Sequence, residues 1–133
     1  MYINRIRRGI IAGAALAFSN TFAQTAKPPP KEAKKMKDIR FVVFHKSGPK
    51  WLPGKTLFEQ PGVMDHIGHY KKLLDTGKLA WGGPHLDETG GGMMIPMAGV
   101  TESEMATFAA EDPAVKSGLL TFEVRPWLIG MSA

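Results

Sequence analysis

Ile39-Arg40-Phe41-Val42-Val43-Phe44-His45 is a short, almost unbroken apolar run rich in β-branched and aromatic side chains. Successive side chains of a strand point to opposite faces, so a run without polar alternation predicts a strand buried on both of them. A sheet built on such a strand needs an apolar layer on each side. Downstream segments supply one of these layers. Gly62 to Thr76 predicts a helix ended by Gly77, with Val63, Ile67, Tyr70 and Leu74 on one stripe. On that wheel His66 falls at the border of the stripe and His69 points mostly to solvent. Lys78 to Trp81 predicts a second strand stopped by Gly82-Gly83-Pro84, and Met93 to Ala98 a third after Gly90-Gly91-Gly92. Thr101, with Glu104 three residues on, is the capping-box signature of a second helix running to about Glu111, before Asp112-Pro113. Leu120, Phe122 and Val124 alternate in a last strand that closes at Pro126-Trp127.

The order βαββαβ describes an α+β, ferredoxin-like sandwich with both helices on one face of a four-stranded sheet. The other face of the doubly apolar first strand also needs a cover. One domain over residues 38–133 has no second layer to provide it, so a homodimer burying sheet against sheet is expected. One residue conflicts with this plan. Pro96 falls inside a strand that the topology places centrally, where a ladder donor is needed, so the strand bulges or ends there.

Residues 1–23 have the layout of an export signal. Arg5, Arg7 and Arg8 precede the apolar run Gly9 to Phe18, and Thr21-Phe22-Ala23 offers a small-x-small cleavage site. The ten residues of that run rise only about 15 Å as a helix, half of a ~30 Å hydrocarbon core, so no membrane span is expected once the signal is removed. Arg7-Arg8-Gly9-Ile10-Ile11 also has the centre of a twin-arginine signal. Either route places the protein outside the cytoplasm, in the periplasm. Residues 24–37 (QTAKPPPKEAKKMK) read as a solvated Lys/Pro-rich linker.

Charge follows this organisation. The whole chain has a formal net charge of +5, but the folded segment from Asp38 carries nine Lys+Arg against eleven acids. The basic excess therefore belongs to leader and linker, and no basic stripe marks a nucleic-acid face. The absence of cysteine excludes a disulfide scaffold, a Cys-ligated metal and a thiol nucleophile. No serine has a G-x-S-x-G context, and Gly90-Gly91-Gly92 lacks the Lys-Ser/Thr of a phosphate-cradling loop.

Histidines and acids remain as the chemical groups. His66, half buried and tunable, is a candidate base. Asp112 sits where a helix C-terminus disfavours a carboxylate electrostatically, and it serves either to organise the turn before Pro113 or to orient His66. Asp87, on the turn Gly82-Gly83-Pro84-His85-Leu86-Asp87, is a third candidate for the same mouth. The loop from Gly48 to Pro61 carries Trp51, Leu57 and Phe58, too many large apolar groups for bare solvent, so it is expected to fold over something. His66 and His69 with His85 do not complete a known ligand pattern, and Met93, Met94 and Met97 read as core or interface filler, so no metal is expected.

Asp65-His66-Ile67-Gly68-His69-Tyr70, Gly82-Gly83-Pro84-His85-Leu86-Asp87, Asp112-Pro113-Ala114-Val115-Lys116-Ser117-Gly118-Leu119-Leu120 and Glu123-Val124-Arg125-Pro126-Trp127 follow, in order and spacing, the pattern of YciI-like (YCII-related) proteins. The resemblance runs from Ile39 to about Leu128, and the loop motif Gly48 to Lys55 is similar to that of long-loop members. The resemblance implies a dimeric α–β barrel on the ferredoxin-like fold, with a pocket between helices and sheet and a His–Asp pair, here His66 and Asp112, with Asp87 as the acid after the Gly-Pro turn. The export signal and Pro96 depart from the family pattern. The functional expectation is a small exported enzyme of lyase or isomerase type that needs no cofactor. His66 moves a proton on a small cyclic or aromatic molecule, Asp112 orients it, Trp51 and Phe58 roof the pocket, and His85 contacts substrate. The alternative is a non-catalytic dimeric module that binds a small ligand or supports another exported protein.

Overall fold

β1 (Ile39–Ser47) is the spine of the domain. It pairs antiparallel with β3 (Gly92–Pro96) on one side and with β4 (Leu120–Leu128) on the other, while β2 (Leu79–Pro84) pairs with β3 at the far edge. The sheet order is β2-β3-β1-β4. Three helices complete the domain: α1 (Val63–Asp75) between β1 and β2, then α2 (Glu102–Ala110) and a single turn, α3 (Pro113–Lys116), between β3 and β4. The arrangement is α+β and compatible with a ferredoxin-like sandwich. The computed structural model describes Gly13, residues 37–87 and residues 89–133. The expected signal segment and all but the last residue of the linker lie outside the described residues, Gly13 apart. No helix among the described residues is long and apolar enough to cross a membrane.

The first strand is buried from both sides. Val43 and its partner Met94 pack with Tyr70 and Leu73 of α1 and with Met105 and Ala109 of α2 in one cluster, so both helices cover the same sheet face. Val42, which points the other way, is only 2% exposed. The far face also carries Trp81, opposite Ile95, and Trp127, opposite Arg40, with exposures of 63% and 44%.

The prolines explain where the strands differ from expectation. β3 ends at Pro96 instead of running to Ala98. The ring cannot donate to the ladder, a register shift between Leu79 and Trp81 lies opposite, and the Pro96 carbonyl takes a hydrogen bond from Arg40 Nη1 at 2.7 Å. β4 passes straight through Pro126, because it is an edge strand with one side unpaired. β2 continues through Gly82-Gly83-Pro84 rather than stopping there, and it too is an edge. One glycine is obligatory here. Gly91 leads into β3 with φ +84°, and a Cβ at that position would collide with the His45 carbonyl.

α1 is turned from its expected orientation. Its buried residues are Val63, His66, His69, Tyr70 and Leu73, whereas Ile67 and Leu74 are 41% and 52% exposed. The most hydrophobic stripe and the buried stripe therefore differ, because Ile67 and Leu74 border a cavity and the imidazoles find hydrogen-bond partners in the interior. His69, expected mostly in solvent, donates from Nε2 to the Phe108 carbonyl at 2.7 Å, and its ring stacks on Phe108 with centroids 4.0 Å apart.

Candidate functional site

Asp112 lies at a junction of two helices. The expected reading placed it at the unfavourable C-terminal end of α2. The structure shows a second helix starting at once: Asp112 is the N-cap of α3, its Oδ1 accepts the Ala114 N–H at 2.9 Å, and Pro113 occupies the first helical position. A carboxylate at that end is favoured. The turn-forming and partner-binding roles are not alternatives, since they use different oxygens. Oδ2 faces His66 Nδ1 at 2.6 Å.

His66 reaches this oxygen from the first turn of α1 and is 5% exposed. An ionised carboxylate can only accept, so His66 Nδ1 carries the proton, and in the neutral form of the ring Nε2 is left with a bare lone pair. Every sealed side-chain nitrogen and oxygen among the described residues has a hydrogen-bond partner. Nε2 has none among the described residues, and His66 lines a cavity of about 380 Å³. The unpaired nitrogen is therefore the one open to that space. Leu57, Phe58, Ile67, Leu79 and Met94 contribute apolar wall, and the glycine-rich edge of β2 and the start of β3 also line the space. The volume is within the roughly 300–1,000 Å³ of small-molecule sites.

Behind His66 lies a second imidazole. His45, at the end of β1, points its Nδ1 at the Thr121 carbonyl (3.2 Å) and its Nε2 at the Tyr70 hydroxyl (2.7 Å). Its Nε2 is also 3.9 Å from Asp112 Oδ2. The rings of His45, His66 and Tyr70 meet edge to face, with centroids 5.1–5.5 Å apart. Burial, reinforced by the neighbouring His66, pulls the His45 pKa down to about 4 against the opposing pull of Asp112. Burial works against charge on Asp112 as well, but the His66 hydrogen bond and charge and the Ala114 N–H outweigh it and hold the carboxyl below its ordinary range. Burial, then the Asp112 charge, pushes Tyr70 well above the ordinary phenol range.

His45, His66 and Asp112 also form a group able to hold a metal ion, with donor atoms within 4.8 Å of one another. The three donor atoms already share hydrogen bonds, so an ion would have to displace the His66 proton and part His45 from Tyr70. His69 and His85, the partners that the sequence offered His66 without completing a ligand pattern, are not part of this group.

The remaining expected site residues are divided by the turn Leu57–Glu59. Phe58, 65% exposed, borders the His66 cavity and also a neighbouring one of about 680 Å³. Trp51, His85 and Asp87 line that neighbour and not the His66 cavity. Trp51 does not roof the His66 cavity: it packs on the small core of Ala114, Leu119 and Leu120 and lies against Gly90. Asp87 does not approach His66 either. Its carboxylate accepts from the Thr89 N–H and hydroxyl in an exposed turn, and these bonds hold its pKa down. Three residues that shape the site and its loop carried no direct signal of that in the sequence. His45 and Tyr70 were visible only as strand and stripe residues. Gln60, 2% exposed, fastens the long loop by pairing both its amide atoms with the Leu52 backbone and a third bond to the Lys55 carbonyl.

Comparison of the chain with protein-family models, with curated proteins and with solved structures yields no match.

Proposed function

We propose that this chain is an exported, YciI-like protein of ferredoxin-like fold that acts as a small cofactor-independent acid–base enzyme, of isomerase or lyase type, on a small cyclic molecule. One observation carries the reading: His66 donates an Nδ1–H hydrogen bond to a buried carboxylate and turns its Nε2 toward an apolar cavity. That is the geometry of a base with its orienting partner. Nε2 takes a proton from a carbon next to a carbonyl or a leaving group. The electron pair then moves into the carbonyl, or expels the leaving group with its bonding electrons. The imidazolium that forms is balanced by Asp112 and returns its proton to product or to water. Positioned acid–base transfer of this kind contributes about 10²–10⁴-fold.

The test needs no knowledge of the natural substrate. Small cyclic and aryl ketones in D₂O report proton abstraction as deuterium wash-in at the carbon beside the carbonyl. The wild-type protein is expected to accelerate wash-in for at least one of them, and His66→Ala to bring the rate to background while the fold persists. Equal rates for wild type and His66→Ala overturn the enzyme reading in favour of the non-catalytic ligand-binding module.

The homodimer belongs to the same proposal. Val42 and Ile95 are buried on the sheet face away from the helices, between the exposed indoles of Trp81 and Trp127. The exposed indoles on this face favour burial against a second copy. Trp81→Lys is expected to lower the sedimentation-derived mass from two chains to one. A wild-type monomer at micromolar concentration contradicts it.

A further inference from the structure

We propose that Tyr70, held by His45, is the second polar contact of the His66 cavity and presents a lone pair to it, so that the occupant is a compact, largely apolar molecule carrying a hydroxyl or N–H donor beside its acidic position. The inference rests on the His66 cavity being the ligand site, and it adds the polarity that this site selects.

The Thr121 carbonyl can only accept, so His45 Nδ1, 3.2 Å away, carries the hydrogen. The His45 Nε2 of that tautomer is bare and can only accept. Its partner at 2.7 Å is the Tyr70 hydroxyl, which must therefore donate. A phenol has one proton, and here it points away from the cavity into the domain. The Tyr70 oxygen retains an acceptor lone pair, and Tyr70 lines the cavity one helical turn after His66, ring centroids 5.3 Å apart. His66 Nε2 is bare as well. Both polar groups that the buried network presents to the cavity are thus acceptors. Lys71 also borders the space, but its Nζ is engaged by both oxygens of Asp75 at 2.8 and 2.9 Å at the exposed rim. A molecule offering only acceptors, such as an ether or an ester, would leave two acceptors facing its own oxygens. One with a hydroxyl or N–H satisfies Tyr70 while its acidic proton meets His66. Sites that pair a ligand's donor reject the analogue without it strongly.

Three ring probes of similar shape separate the cases. Phenol brings a donor, anisole an acceptor alone, and toluene neither. Wild-type protein, titrated by NMR, is expected to bind phenol best, and Tyr70→Phe to weaken phenol about threefold to tenfold while toluene changes less than about twofold. His45→Leu releases the Tyr70 proton, and anisole is then expected to gain on toluene. A wild-type measurement stands independently of these variants: long-range ¹H–¹⁵N correlation should show the His45 proton on Nδ1, with Nε2 unprotonated. A proton on His45 Nε2, or an equal loss of phenol and toluene in Tyr70→Phe, overturns the proposal. The His66→Ala wash-in result does not enter it: loss of phenol preference in Tyr70→Phe supports the Tyr70 contact even where wash-in is absent, and an unaltered preference removes it even where wash-in depends on His66.

Discussion

Asp112→Asn is expected to lower His66-dependent proton abstraction by about 10²–10⁴-fold while leaving the domain folded. The reason is a shortage of acceptors. Asp112 uses one oxygen for the Ala114 N–H and the other for His66 Nδ1. Asparagine has a single carbonyl oxygen. Capping α3 takes that oxygen, as Asn is a good N-cap. The amide NH₂ then faces His66 and can only donate, which forces the imidazole into its other tautomer, with Nδ1 bare and the proton on Nε2 in the cavity. A base becomes a donor with no change of shape. Deuterium wash-in measures the loss, and ligand titration on the same variant should show affinity for toluene within about twofold, since the apolar wall is untouched. A variant as active as wild type would mean that the carboxylate has no orienting role.

Acidification should destabilise the protein between about pH 6.5 and pH 4, by about 3 kcal/mol in all. In the unfolded chain His45 takes up its proton near the ordinary imidazole value of 6.5, whereas in the folded domain burial and His66 delay uptake to about 4. Through that window the unfolded state binds more protons, so stability falls as pH falls. The contribution is fully present above pH 6.5 and spent below about 4. His66, His69, Tyr70 and Asp112 are the groups facing His45 or influencing it, and Asp112, held low, adds its own loss in the same direction at still lower pH. Urea unfolding across this range measures the slope. His45→Gln can keep a donor toward the Thr121 carbonyl and has nothing to titrate there, so its profile should be flatter. A wild-type profile without slope in the window contradicts a buried neutral His45.

Much of the fold was legible in the chain because local signals agreed with tertiary needs. The unbroken run at Ile39 to His45 announced a strand covered on both faces, and Thr101 with Glu104 forms the capping box it suggested, with Thr101 Oγ1 accepting the Glu104 N–H at 3.1 Å. Pro96 marked the end of β3 for the reason that made it conspicuous. The extension of β2 through Gly82-Gly83-Pro84 was not legible, because only the strand order shows that this segment lies on an edge. The rotation of α1 was hidden by composition: apolar residues were assigned to the core, but Ile67 and Leu74 border a cavity while His66 and His69 satisfy their polarity inside.

The site was half visible. His66 stood out at the border of the first helical stripe and Asp112 at the end of the second helix, and their approach across 46 positions of sequence required both helices to lie on one sheet face. α3 was missed because it is one turn long, yet it is what makes the Asp112 position favourable. His45 could have been found: it is two residues beyond Val43 and must face the helices with it. Tyr70 looked like ordinary packing, since a hydroxyl within an apolar stripe gives no sign of its partner. Trp51 and Asp87 misled because a loop can close over one cavity or the next, and spacing does not distinguish them.

The central claim is a tautomer and its open side, and NMR of the wild-type protein reads both. With ¹⁵N-labelled histidine, the neutral ring of His66 should show its proton on Nδ1, hydrogen-bonded to Asp112, and an unprotonated Nε2 whose resonance moves when phenol is added. A His66 proton on Nε2, or an Nε2 resonance indifferent to any ligand that enters the cavity, would contradict a base poised by Asp112.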